Sequence, residues 1–245
     1  MTEQQFTTPA PVTLEVTFAS GDVQVTTTEG DESTVALEGT QKLLEATRVE
    51  LIGDRLVIQE RRTGFSGMFS RLDGGLQVRA TVPHSSKVEV VTASGHAALD
   101  GSFGAVSMKS ASGELAVAGD IAGDVNVETV SGQVRLPHLA GDLTARSVSA
   151  DVAADSVDGS VSVRSVSGRV HVGSLREGTT SVQSVSGGID LGIAAGTSID
   201  IDAASASGQL SSEIALGQAP GAESGPTVVI RGNTVSGDFR VFRAA

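Results

Sequence analysis

Residues Val161 to Gly168 read V-S-V-R-S-V-S-G, and the second half of that phrase returns about every 18 residues along most of the chain. Aligned on its Ser-Gly pair it recurs as V-V-T-A-S-G at 90–95, M-K-S-A-S-G at 108–113, V-E-T-V-S-G at 127–132, V-Q-S-V-S-G at 182–187 and A-A-S-A-S-G at 203–208. A-R-S-V-S-A at 145–150 keeps the phase, with Ala150 in place of glycine. The serines at 94, 112, 131, 149, 167, 186 and 207 stand 18, 19, 18, 18, 19 and 21 residues apart. Self-similarity at a short fixed period signals one small unit stacked many times, because a single unit has too little core to fold alone. The expected fold class is all-β: a parallel β-solenoid of about 18-residue rungs with two short strands per rung, irregular N-terminal strands and a terminal cap.

Alternation within the repeat assigns the faces. Val90, Met108, Val127, Ala145, Val163, Val182 and Ala203 fill one apolar column, and its neighbours Val91, Lys109, Glu128, Arg146, Arg164, Gln183 and Ala204 are mostly polar. Successive strand side chains point to opposite faces, so the first column belongs inside and the second in water. After each Ser-Gly a second strand repeats the logic, with Leu115 and Val117, Val134 and Leu136, Val170 and Val172, and Ile189 and Leu191 inward. One further apolar residue per rung, Ile121, Leu139, Val157 or Leu175, closes the core.

Read in order, residues 1–11 form a flexible N-terminus and 12–243 a single domain, with irregular N-terminal rungs over 12–83, regular repeats over 84–212, and a loop and C-terminal cap rung over 213–243. Gly53-Asp54 marks a hairpin, while Gln41–Ala46 is too short to count on as a helix. Residues 60–75 break the alternation and read as an insertion loop. Its stretch 61–72 joins large apolar residues to positive charge, so Arg61, Arg62, Phe65, Met68, Phe69 and Arg71 are the candidate contact residues for a protein partner or a membrane surface. Phe239 and Phe242 stand where internal rungs have valine or leucine, which suits the atypical terminal rung that shields the end of a repeat stack. An incompletely covered end rung would offer backbone groups to another copy, so an end-on homo-oligomer is expected of a bare end.

Composition excludes several classes. No tryptophan, no tyrosine and seven phenylalanines in 245 residues describe a core too thin for large rings. A net charge of −12 leaves no clustered lysine and arginine for nucleic-acid phosphates. There is no cysteine, hence no disulfide and no thiolate metal site. The opening M-T-E-Q-Q-F-T-T-P-A lacks a basic segment followed by an apolar one, and no run of 18 apolar residues occurs, which points to a cytoplasmic protein. The Ser/Thr columns lack the adjacent general base that a nucleophile needs, since His84, His96, His138 and His171 occupy different rung positions. They read as hydroxyl ladders bonding the turn backbone. The Gly-Asp turns at Asp22, Asp120, Asp124, Asp142 and Asp238 lack the dense nonapeptide of calcium β-rolls, so these aspartates read as turn caps. No catalytic, cofactor or metal residue is assigned.

The T-V-S-G and S-V-S-G turns, the S-G-D-V-Q-V opening, the V-R-A-T-V-P-H-S-S-K-V-E-V approach and the N-T-V-S-G-D-F-R-V ending together resemble the bacterial β-strand-repeat family labelled putative adhesins, over residues 12–243. The resemblance implies a parallel β-solenoid of unsettled function, with some members tied to envelope stress operons, and brings no catalytic residue. Fold does not fix function. The expected role is a non-catalytic scaffold or protein-interaction module linked to the bacterial envelope or its stress response. The alternatives are a carbohydrate-active enzyme on a β-helix and a surface adhesin.

Overall fold

The computed structural model describes residues 2–8, 11–61, 75–214 and 225–244. Where the repeat suggests one continuous domain, the contacts divide the chain into two compact units, residues 1–122 and 123–245. Both are all-β.

The first unit contains β1 (Thr2–Thr7), β2 (Thr13–Thr28), β3 (Glu32–Glu38), the helix α1 (Gln41–Ala46), β4 (Thr47–Ile52), β5 (Arg55–Glu60), β6 (Leu76–Pro83) and β7 (Ser86–Ile121). β2 lies at its centre. It pairs in parallel with β5 from Thr13↔Arg55 and with β6 from Gly21↔Leu76. On its other edge it pairs in parallel with β7, from Thr13↔Lys87 to Thr26↔Asp100. The first repeat in the sequence is therefore second in its ladder. Antiparallel strands line the outer side: β4 on β5, turning at Gly53 with φ 64°, β3 on β6, and β1 on β3. The expected flexible tail is thus a strand at residues 2–7, and its mostly exposed Thr, Glu and Gln suit a solvated edge. α1 does form: Thr40 caps it by accepting from the Leu43 amide at 3.4 Å, and Leu43 is buried.

The second unit contains β8 (Val125–Leu139), β9 (Leu143–Val157), β10 (Val161–Arg164), β11 (Val170–Leu175), β12 (Gly178–Ser184), β13 (Ile189–Ile193), β14 (Ser198–Ser205), β15 (Leu210–Ser212), β16 (Thr227–Thr234) and β17 (Phe239–Arg243). Every pairing given for these strands is parallel, and the sequence period is the ladder register: Val163 pairs with Ala145 on one side and Val182 on the other. The order breaks after β13. β16 pairs with both β12 and β14, and β17 with both β13 and β15, so the last repeat in the sequence is inserted before the one that precedes it.

That insertion corrects the expected C-terminal cap. β14 and β15 form the outer coil, with Ile199 and Ile201 only half-buried and Leu210 52% exposed. Phe239 is buried at 2% exposure, paired between Ile189 and Leu210. Its ring occupies the space left by Gly232, which stands in the inward column after Val182: a Cβ at Gly232 would meet Phe239 ring atoms first, with Cζ at 2.7 Å and Cδ2 at 3.0 Å. The coil has exchanged two medium side chains for none and one large one, at similar total volume. Phe242 lies on the outer surface, over Gly192, and stacks on His171 with ring centroids 6.2 Å apart and planes 14° apart. Neither ring covers an end.

The face assignment holds. Val90, Met108, Val127, Ala145, Val163 and Val182 are all buried, and only Ala203, in the outer coil, is half-open. The second-strand residues and the closing residues Ile121, Leu139, Val157 and Leu175 are buried as well. Close stacking imposes glycine where the turn needs it: Gly187 has φ 155°, and a Cβ there would lie 3.0 Å from the Gly168 carbonyl carbon. Ala150 is tolerated in the equivalent turn because its φ is not positive, and it is fully buried.

Candidate functional site

In the second unit, the residue between the two hydroxyls of each turn forms a feature that the alternation implies but that attention to the core conceals. If Val163 points in, Arg164 out and Ser165 in, then Val166 must point out. Val130, Val148, Val166, Val185 and Val235 are 51%, 44%, 48%, 47% and 54% exposed. They stand in register on successive coils, because the ladders place β8, β9, β10, β12 and β16 side by side. Five coils at ~4.8 Å make an apolar ridge roughly 20 Å long. Scattered exposed valines are ordinary; a continuous row is the kind of patch that marks a contact surface.

Hydroxyl pairs brace the middle of the ridge. Ser147 and Ser165 bond to each other at 3.0 Å beneath it, and Ser149 and Ser167 at 3.1 Å beside it. Thr129 donates to the Ser131 carbonyl at 3.0 Å and Ser165 to the Ser167 carbonyl at 3.1 Å, tying these two turns to themselves, whereas the buried hydroxyls of Ser184 and Thr234 beside Val185 and Val235 find no hydrogen-bond partner among the described residues. The aspartates work differently from the local caps expected of them. Asp124 accepts from the Asp142 amide at 3.0 Å, Asp142 from the Ser160 amide at 2.7 Å, and Asp151 from the Arg169 amide at 2.8 Å. Each caps an amide one coil further along, so the side chain carries the register between turns.

Next to the ridge, where the second strands begin, a shallow groove of about 210 Å³ is lined by Gln133, Arg135, Asp151, Ala153, Arg169 and His171, over the backbone of Val134 and Val152. Arg135, Ala153 and His171 are register partners, so alanine sits between two large polar side chains and leaves a notch. Arg135 bonds Gln133. Phe242 backs His171, and Arg240 lies over the Phe242 ring at 5.5 Å from its centroid, with Glu213 hydrogen-bonded to Arg240 and raising its pKa further. The groove contains one carboxylate, Asp151, so it lacks the carboxylate pair of a glycoside hydrolase. Among the described residues no group of three His, Cys, Asp or Glu could hold a metal ion, and no helix is long and apolar enough to cross a membrane.

Of the residues proposed from sequence as a contact site, Arg61 is exposed, and its amide donates to the Ala46 carbonyl at 2.8 Å. Arg62, Phe65, Met68, Phe69 and Arg71 lie outside the described residues. The groove escaped the sequence reading because its members are strangers along the chain. Arg135 and His171 become neighbours only when coils are superposed at 18-residue offsets.

The family described as Toastrack DUF4097 matches residues 12–241, the same span as the repeat, its irregular opening and its inserted last coil. The chain belongs to the Toastrack DUF4097 family. A "putative adhesin" from Parabacteroides distasonis resembles this Toastrack chain at 13% identity and a TM-score of 0.58, covering 98% of this chain and 96% of its own. A "putative adhesin" from Bacteroides fragilis is 9% identical, with a TM-score of 0.38, covering 98% and 96%. A "putative lipid binding protein" from Parabacteroides distasonis is 10% identical, with a TM-score of 0.30 and the same coverage. At such identity the first of these supports the fold alone. No curated protein matches the chain.

Proposed function

We propose that this Toastrack chain is a non-catalytic β-solenoid scaffold that acts as a protein-interaction module through its valine ridge. The solenoid reading rests on parallel ladders whose register repeats the sequence period, with two strands per coil. The observation that carries the functional reading is the ridge itself. Five coils keep an exposed valine at the same turn position, where it adds nothing to the buried core. Covering such a row removes apolar area from water at ~25 cal/mol per Å², which favours a flat partner surface laid along the stack. A link to the bacterial envelope follows from the family resemblance.

The test places a photo-reactive amino acid at position 166, on the ridge, or at position 162, an exposed position of the strand β10 that leads into that turn, in the native host. A discrete adduct from position 166, absent from position 162 and lost when Val148 and Val185 become serine, supports the ridge. Equal adducts from both positions would remove its special role. Cell fractionation separates a scaffold inside the cell from a surface adhesin.

A further inference from the structure

We propose that the groove beside the ridge binds an acidic glycan, a chain of uronate sugars, with Arg169 taking the sugar carboxylate. The proposal rests on reading the chain as a binding scaffold and supplies a ligand that the ridge does not. The chemistry of the six lining side chains points to it. Arg169 has an exposed guanidinium with no ion pair among the described residues, although its own amide is held by Asp151, which fixes the backbone from which the side chain projects. A planar guanidinium with free donors matches a carboxylate through two parallel hydrogen bonds. Arg135 lies two coils away on the same face, held by Gln133. The groove thus brings two guanidinium groups together on a chain whose net charge is −12.

Asp151 decides between anions. It sits among these cations and offers an acceptor. A carboxylate there repels a phosphate dianion about twice as strongly as the single negative charge of one uronate ring, and the ring has hydroxyls that can donate to Asp151 while its carboxylate meets the arginine. The Gln133 amide extends the same hydroxyl-reading set. Size favours an elongated ligand lying across the surface. At about 210 Å³ the groove is smaller than the ~300–1,000 Å³ pockets that enclose a whole small molecule, so it seats one ring of a chain that continues past it. The notch at Ala153 receives that ring, and His171, backed by Phe242, forms a wall to one side.

Titration calorimetry of the full chain with tetragalacturonate, cellotetraose and inorganic phosphate tests this. The expected result is saturable binding of tetragalacturonate, at least tenfold weaker binding of cellotetraose, and no competition by phosphate at equal concentration. Arg169→Gln should lose at least tenfold, Arg169→Lys should fall between, and Ala153→Leu, which fills the notch, should abolish binding, all with unchanged melting temperature. No binding of tetragalacturonate by the folded wild type, or equal binding by Ala153→Leu, overturns the proposal, and equal competition by phosphate reduces the site to a bare anion contact and overturns it too. Val148→Ser/Val185→Ser should bind the glycan normally. Cross-linking from position 166 that persists without glycan binding therefore leaves the scaffold reading standing while this one falls.

Discussion

Replacing Gly232 and Phe239 by valine, singly and together, tests whether the inserted last coil is packed by exchange of volume. Phe239→Val removes most of a buried ring that nothing else can reach, because Gly232 has no side chain to relax into the space. Large-to-small changes of a buried phenylalanine to alanine cost ~3–5 kcal/mol, so the valine, which retains part of the volume, should cost about 2–4 kcal/mol. Gly232→Val drives a branched side chain into the ring, with Cβ itself 2.7 Å from Cζ, and overpacking of this kind costs roughly 1–3 kcal/mol. The three atoms nearest that Cβ all belong to Phe239, and Gly232 does not have a positive φ, so backbone strain adds nothing. In the double variant the coil has valine beside valine, as in Val163 with Val170, and should lie within ~1.5 kcal/mol of wild type. The assay is urea unfolding followed by circular dichroism, where a loss of ~3 kcal/mol moves the midpoint by roughly 1–3 M. Distant sites add within ~0.5 kcal/mol, so a double variant as unstable as the sum of its parents would refute the volume exchange.

Three further outcomes rest on the same packing. Val163→Asp places a carboxylate at a fully buried site and should lower stability by several kcal/mol, whereas Arg164→Asp on the exposed face should change it by less than ~0.5 kcal/mol; equal thermal shifts would contradict the face assignment. Gly187→Ala, against a φ of 155° and the Gly168 backbone, should lower the melting temperature clearly, while Gly188→Ala, with nothing within 4 Å, should leave it alone, and calorimetry of the pair separates turn strain from a general need for glycine. Asp142→Ala strips the acceptor from the Ser160 amide and should cost ~1–2 kcal/mol, with Asp142→Asn recovering part of it through its side-chain oxygen; identical urea midpoints for both would mean that the bond between coils carries no stability.

Within the repeats, the sequence by itself determined the strands, their faces and their register, whereas the strand at residues 2–7 was not legible in it. Alternation at Val163 and Arg164 sets inside from outside, and the 18-residue spacing of the turn serines becomes the pairing of Val163 with Ala145, because a stack buries its inward column only when like positions lie over like. The same alternation carried the valine ridge, at Val166 and its equivalents, for a reader who followed it outward. Tertiary structure alone decided the order of the coils. Local pattern is the same for a strand in any slot of a parallel ladder, so nothing in V-V-I-R-G-N-T-V-S-G says whether β16 lies outside β14 or inside it. What differs between the slots is the neighbours: in the inserted one Phe239 is stacked between Ile189 and Leu210. The groove was invisible for a related reason: its six lining side chains are spread over three coils, two on each, and only stacking brings the guanidinium groups and Asp151 onto one surface.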